Sequence, residues 1–340
     1  SNFINNPNFL NQLLEKSWFI ISSSIVTQGT LLGFCFLLCK IRHVDFIKAA
    51  SINKKISLLV ILILPVLSLF LLASDIPLLS AVDDIFRIIG YNEPDILTEN
   101  LLSTPLGIIG VIISTCILPA ICEEFVFRGI VLQGLASRFK PFTAILLSAF
   151  AFCMMHMSPA QTAHQFVLGV ALGYIVLTTG SIWPGVILHF SNNFWAVLAS
   201  IVSLNGLESA LLNNTIFIYV GAVVFTLLGL AAFFLAFDFV AKKQKDSIFI
   251  NAITGFKKHK QGNRFKMNYD VIVPPIKRVF NPEQNAFVET PLSEEEYSLF
   301  AATKEQKNRR KFIIIYCIAF GICIAVWLFA LKSALVGVLM

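Results

Sequence analysis

The sequence predicts an all-α fold: a polytopic transmembrane helical bundle of about eight spans, each near the ~20 residues that one bilayer crossing needs. Three observations predict it. The 340-residue chain is 56% hydrophobic and 14% charged, with a mean hydropathy of +0.78; soluble domains carry roughly a quarter charged residues. Long apolar runs recur at 18–39, 56–73, 105–137, 142–157, 163–178, 183–201, 215–239 and 312–338. The polar stretches between them alternate in charge.

Taken in order, the polar, Asn-rich residues 1–16 precede an apolar run too long for the centre of a cleavable signal peptide. The loop after it carries Lys40, Arg42, Lys48, Lys54 and Lys55 against Asp45, which places it in the cytoplasm by the excess of cations. After the second run, residues 75–99 carry Asp75, Asp83, Asp84, Glu93, Asp95 and Glu99 against Arg87, an external loop. The 105–137 run is long for one crossing. Pro119 lies inside it and is expected to kink or split it. The basic SRFKP at 137–141 is internal, and 203–214 holds no cation and is external. Residues 242–278 hold ten Lys and Arg against two Asp, again internal. The signs alternate throughout if 105–137 crosses once. Eight crossings with both termini outside follow.

Five units result: 1–104, an N-terminal transmembrane hairpin and acidic loop; 105–201, a polar-centred core; 202–240, one span; 241–311, a basic cytoplasmic segment; and 312–340, a last span. Within 241–311, VIVPPIKRVF reads as extended chain, and 293–310 reads as a helix with Ser293 and Glu296 at capping-box spacing. The basic charge there reads as an ordinary cytoplasmic flank facing anionic lipid. No nucleic-acid partner is expected. The seven cysteines all fall in apolar runs and read as small buried hydrophobes.

Ionisable groups at membrane depth are costly and usually mark function. In this core they are Glu123, Glu124, Arg128, His156 and His189, followed by Asn192 and Asn193. Glu124 and Arg128 are four apart and share a helix face, so they can pair. Glu123 points about 100° away and lacks that partner. His189 and Asn193 are also four apart. A carboxylate facing a neutral histidine can deprotonate a water, and a second histidine with an amide can stabilise an oxyanion. A buried ion pair that fixes helix register, or a transport pathway, uses the same residue types. The residues alone leave these readings open.

Three patterns then stand in order: EEFVFR at 123–128 (EExxxR), FCMMH at 152–156 (FxxxH) and HFSNN at 189–193 (HxxxN). Together they resemble the CPBP family of intramembrane proteases, which includes the type 2 CAAX prenyl endopeptidases and bacteriocin-processing or self-immunity proteins. The resemblance covers roughly 105–200. It implies that Glu123 and His156 activate a water, that His189 and Asn193 form the oxyanion site, and that Glu124 and Arg128 support the catalytic helix. It implies a peptide or protein substrate within or beside the lipid. Zinc is the metal-dependent alternative, with Glu123, His156 and His189 as candidate ligands; the residues favour no required metal, since HExxH is absent. A non-enzymatic scaffold or immunity factor, acting through a partner protein docked on 241–340, is the competing implication. The Lys-, Asn-, Ile- and Phe-rich composition points to a bacterial cell membrane.

Overall fold

The computed structural model describes residues 16–41, 44–50, 52, 56, 58–88, 99–136, 139–203, 215–242, 276–281 and 286–291, with isolated positions at 293 and between 314 and 328. The described residues are largely helical. In chain order the elements are α1 (Ser17–Ile41), α2 (Phe46–Ala49), α3 (Leu58–Ile88), α4 (Glu99–Leu102), α5 (Pro105–Ala136), α6 (Pro141–Met155), α7 (Thr162–Thr179), α8 (Trp183–Ser203) and α9 (Thr215–Lys242). Three of them, α1, α5 and α7, are long and apolar enough to cross a membrane. Shorter apolar helical stretches lie at Val60–Leu72, Pro141–Met155 and Thr226–Leu235. The expected helix at 293–310 and most of the expected span at 312–338 lie outside the described residues.

Local sequence sets the helix ends. Pro105 and Pro141 stand in the first turns of α5 and α6, where a missing N–H costs nothing. The Thr104 hydroxyl caps α5 by accepting from the Gly107 N–H at 3.1 Å. Gly180 ends α7 at φ 64°, a left-handed conformation that glycine adopts without strain.

Pro119 does not divide α5. Helical backbone continues from Pro105 to Ala136, with π-helical segments at Ile112–Ile117 and Phe125–Val131. Proline lacks the N–H that would serve the carbonyls of Thr115 or Ser114 in an α- or π-register. Both carbonyls find side-chain donors on other helices. Asn193 Nδ2 of α8 donates to Thr115 O at 2.7 Å, and Ser24 Oγ of α1 donates to Ser114 O at 2.9 Å. A break inside a membrane helix survives when neighbours satisfy the freed groups in this way.

The helices pack around α5 and α7. Helix α3 lies along α9 and against α8, α6 lies along α7, and α1 lies along α5. The largest core cluster joins Leu64, Leu71, Leu168, Leu172, Tyr174, Phe233 and Phe237. The Trp195 indole on α8 donates to Pro65 O in α3 at 2.9 Å. Outward faces remain apolar, as at Val26, Phe34, Leu62, Val223 and Leu227, which suits contact with lipid.

Three expectations change. The fold is not wholly α: β1 (Ile276–Asn281) pairs antiparallel with β2 (Ala286–Pro291), Val279 opposite Val288. Runs rich in β-branched and aromatic residues favour that pairing over a helix. The acidic stretch expected as loop from 75 is helical to Ile88, because α3 is 31 residues long, roughly 46 Å at helical rise. Its end is reinforced by an Asp83–Arg87 bridge of 2.9 Å at i,i+4. Finally, Cys35, Cys39, Cys116, Cys122 and Cys153 are buried, but Cys317 is exposed. An apolar side chain on a membrane helix can face lipid as readily as protein.

Candidate active site

The sequence-selected polar residues come from three helices. Glu123 and Glu124 end the α-helical piece of α5 between its two π-helical segments, and Arg128 lies in the second. His156 caps the C-terminus of α6. His189 and Asn193 lie one turn apart on α8. Four are deep, with Glu124 and Arg128 at 0% exposure, His189 at 2% and Glu123 at 4%, while His156 and Asn193 are half-buried.

The buried ion pair organises one side. Arg128 Nη1 donates to Glu124 Oε1 at 2.6 Å, and Nη2 donates to Gly169 O of α7 at 3.3 Å. His189 Nδ1 donates to the same Glu124 oxygen at 3.1 Å. Glu124 therefore ties α5 to α8, and Arg128 ties it to α7. Glycines permit the approach. A Cβ on Gly185 would stand 2.8 Å from Glu124 Oε2, and one on Gly169 would stand 2.9 Å from Ala149 Cα.

Phe152, the first residue of the FxxxH pattern, is the hub between the two sides. Its ring lies 4.2 Å beneath the Arg128 guanidinium carbon, a cation–π contact. It meets His156 edge-on at 4.7 Å and His189 edge-on at 5.8 Å between centroids. The two imidazoles therefore flank one aromatic ring.

On the other side, His156 Nδ1 donates to Phe152 O at 2.9 Å. That bond fixes the tautomer and leaves Nε2 with its lone pair. Nε2 faces Glu123 Oε2 at 4.0 Å, too far for a direct hydrogen bond. Glu123 Oε2 is buried and has no hydrogen-bond partner among the described residues. One oxygen atom sitting off the line between them can reach both with legs of ~2.8 Å.

Asn193 sits differently from the resemblance's implication. One of its Nδ2 hydrogens is committed to Thr115 O, so only the other is free for an incoming oxyanion. His189, with Nδ1–H committed to Glu124, can donate through Nε2 only when the ring carries a second proton.

Two residues that the sequence reading passes over join the cluster. Gln28 of α1 donates Nε2 to Glu123 Oε1 at 2.7 Å. His164, in the first turn of α7, lies within electrostatic reach of His156. Gln28 is the one amide near the middle of a long apolar helix, and that was its available signal. His164 stands at the start of the 163–178 run beside the polar SPAQ stretch, and its place in that apolar run was the available signal.

Among the described residues no three His, Cys, Asp or Glu side chains gather as metal ligands. No step below runs through a metal.

Residues 105–195 match the family model described as type II CAAX prenyl endopeptidase, Rce1-like. The matched region holds every residue of the three motifs and excludes Gln28. Neither a curated protein nor a solved structure matches the chain. This similarity and the long apolar helices together support an integral membrane protein.

Proposed function

We propose that the chain is an intramembrane endopeptidase that hydrolyses a peptide bond of a membrane-associated protein or peptide. The reactive water is activated between Glu123 and His156. One observation carries this reading: the unpartnered, buried Glu123 Oε2 faces the lone pair of His156 Nε2 across 4.0 Å. A water there donates one hydrogen to each and keeps a lone pair for a substrate carbonyl. As its oxygen bonds to the carbonyl carbon, a proton passes to Glu123 and the carbonyl π pair moves to oxygen. Glu123 then returns that proton to the leaving amine as the C–N bond breaks. The carboxylate is restored, and no Ser or Cys nucleophile is needed. General acid–base help of this kind contributes about 10²–10⁴-fold.

The oxyanion is met by the remaining Asn193 Nδ2 hydrogen and by His189, whose ring Glu124 orients. The substrate class follows from the matched family: prenylated CAAX termini, or peptide precursors and leader sequences in a bacterial cell membrane. Segment 241–340 lies outside the matched region and is assigned to docking a partner protein.

The test compares cells carrying wild type with cells carrying Glu123→Gln, by mass spectrometry of protein termini in the membrane fraction. New termini present only with wild type are expected. Identical termini, together with an unchanged set of bound partners, would refute hydrolysis and leave the scaffold reading standing.

A further inference from the structure

Glu123 is held from outside the matched domain. Helix α1 is apolar apart from small hydroxyl residues, Gln28 and the terminal Lys40, and its buried residues are Ile20, Gln28, Cys35 and Cys39. Gln28 is the polar exception among these four, and its residue is 9% exposed. It is the twelfth residue of a 25-residue helix, so it stands near the midplane of any bilayer that α1 crosses. An unpaired amide at that depth costs several kcal/mol in the absence of a partner.

Its partner is not a backbone carbonyl or a neutral side chain but a carboxylate. Gln28 Nε2 meets Glu123 Oε1 at 2.7 Å, while Gln28 Oε1 has no partner among the described residues. As a helix–helix fastener this is poor, since half of the amide's capacity goes unused. As a device for orienting the carboxylate it is apt. With Oε1 fixed by Gln28, rotation about the carboxyl axis is stopped and Oε2 is held toward His156. The neighbouring contact Ser24 Oγ to Ser114 O locks the same face of α1 onto α5 one turn away.

We infer that Gln28 is a positioning residue for hydrolysis: its amide fixes Glu123 so that only Oε2 is presented to the water. This rests on the proposed hydrolytic function, and it makes α1 part of the working enzyme. A Rce1-like domain cut out at 105–195 lacks this contact.

The test uses the full chain in detergent micelles, with an internally quenched farnesylated peptide ending in a CAAX sequence as probe. Gln28→Met keeps the length and removes the amide; Gln28→Asn keeps an amide too short to reach. Both are expected to lower kcat by roughly 10- to 100-fold, the range for losing a hydrogen bond to a charged group, with KM unchanged. Both should stay folded with a lowered melting temperature, Gln28→Asn more so because its amide is left unpaired; the loss confined to kcat and the amide signal below are what a merely structural role would not produce. A second readout needs no turnover. In protein labelled with ¹⁵N-glutamine, the side-chain amide signal that Gln28→Met deletes should move upfield in Glu123→Gln, where the charged acceptor is gone. Wild-type kcat in both Gln28 variants would overturn the positioning role alone. An amide signal indifferent to Glu123→Gln would overturn the contact itself. Full turnover in Glu123→Gln would overturn hydrolysis at Glu123 and, with it, the role of Gln28.

Discussion

Arg128→Met is the perturbation whose outcome the structure constrains most tightly. The guanidinium is at 0% exposure and has three attachments: Glu124 Oε1 at 2.6 Å, Gly169 O at 3.3 Å and the Phe152 ring at 4.2 Å. Removing one partner of a buried ion pair costs about 3–5 kcal/mol, because the other charge stays buried. The cation–π contact with Phe152 adds roughly 0.5–2 kcal/mol. His189 Nδ1 still reaches Glu124, so part of that carboxylate's need is met and the lower half of the sum is expected, about 3.5–5 kcal/mol. Thermal unfolding of the purified chain in detergent reads this directly. The double variant Glu124→Met/Arg128→Met supplies the decisive comparison. Replacing both partners with apolar groups is often neutral, so it should recover most of the lost stability. It should not recover activity, because His189 has lost the acceptor that fixes its ring. Loss of under 1 kcal/mol in Arg128→Met, or a double variant less stable than either single one, would refute the ion pair as the organiser of this site.

Three further outcomes follow from the structure. Gly185→Ala should destabilise by about 1–3 kcal/mol through overpacking, since the new carbon meets Val176 Cγ2 at 2.7 Å and Glu124 Oε2 at 2.8 Å. Gly134→Ala, with nothing within 4 Å, should be neutral or stabilising in the same melting experiment. Pro119→Ala restores an N–H that competes with Asn193 for Thr115 O; melting temperature should hold or rise, while kcat falls about fivefold, the equivalent of one ordinary hydrogen bond. Unchanged kcat there would mean that the Thr115 anchor does not set the position of Asn193.

Much of the arrangement is legible in the sequence because lipid makes polar residues conspicuous. Glu124 and Arg128 at i,i+4 meet within their own helix, and spacing alone states that. Tertiary pairings are another matter. Spacing cannot say that His189 reaches the carboxylate of Glu124, or that the ring of Phe152 stands between two histidines. Gln28 lies 95 residues from Glu123, and nothing in the periodicity of α1 names its acceptor. The β1–β2 hairpin is half legible: IKRVF reads as extended, but its partner strand does not declare itself.

Pro119 marks where sequence reasoning names the right residue and leaves two consequences open, of which the split does not occur. Proline in a helix interior does remove a donor, and in water the helix would bend or end there. Inside lipid the freed carbonyls cannot turn to solvent, so they must be met by protein. Breaking α5 would expose more backbone, whereas a π-helical segment with two imported donors exposes none. The donors come from α1 and α8, the same helices that deliver Gln28 and His189 to the adjacent carboxylates. The defect and the site are neighbours: the carbonyl that Pro119 leaves without its N–H lies where α1 and α8 bring in Ser24 and Asn193, and the same two helices carry Gln28 and His189 to Glu123 and Glu124. On this argument, a substitution that heals the helix at 119 loosens the site without loosening the fold.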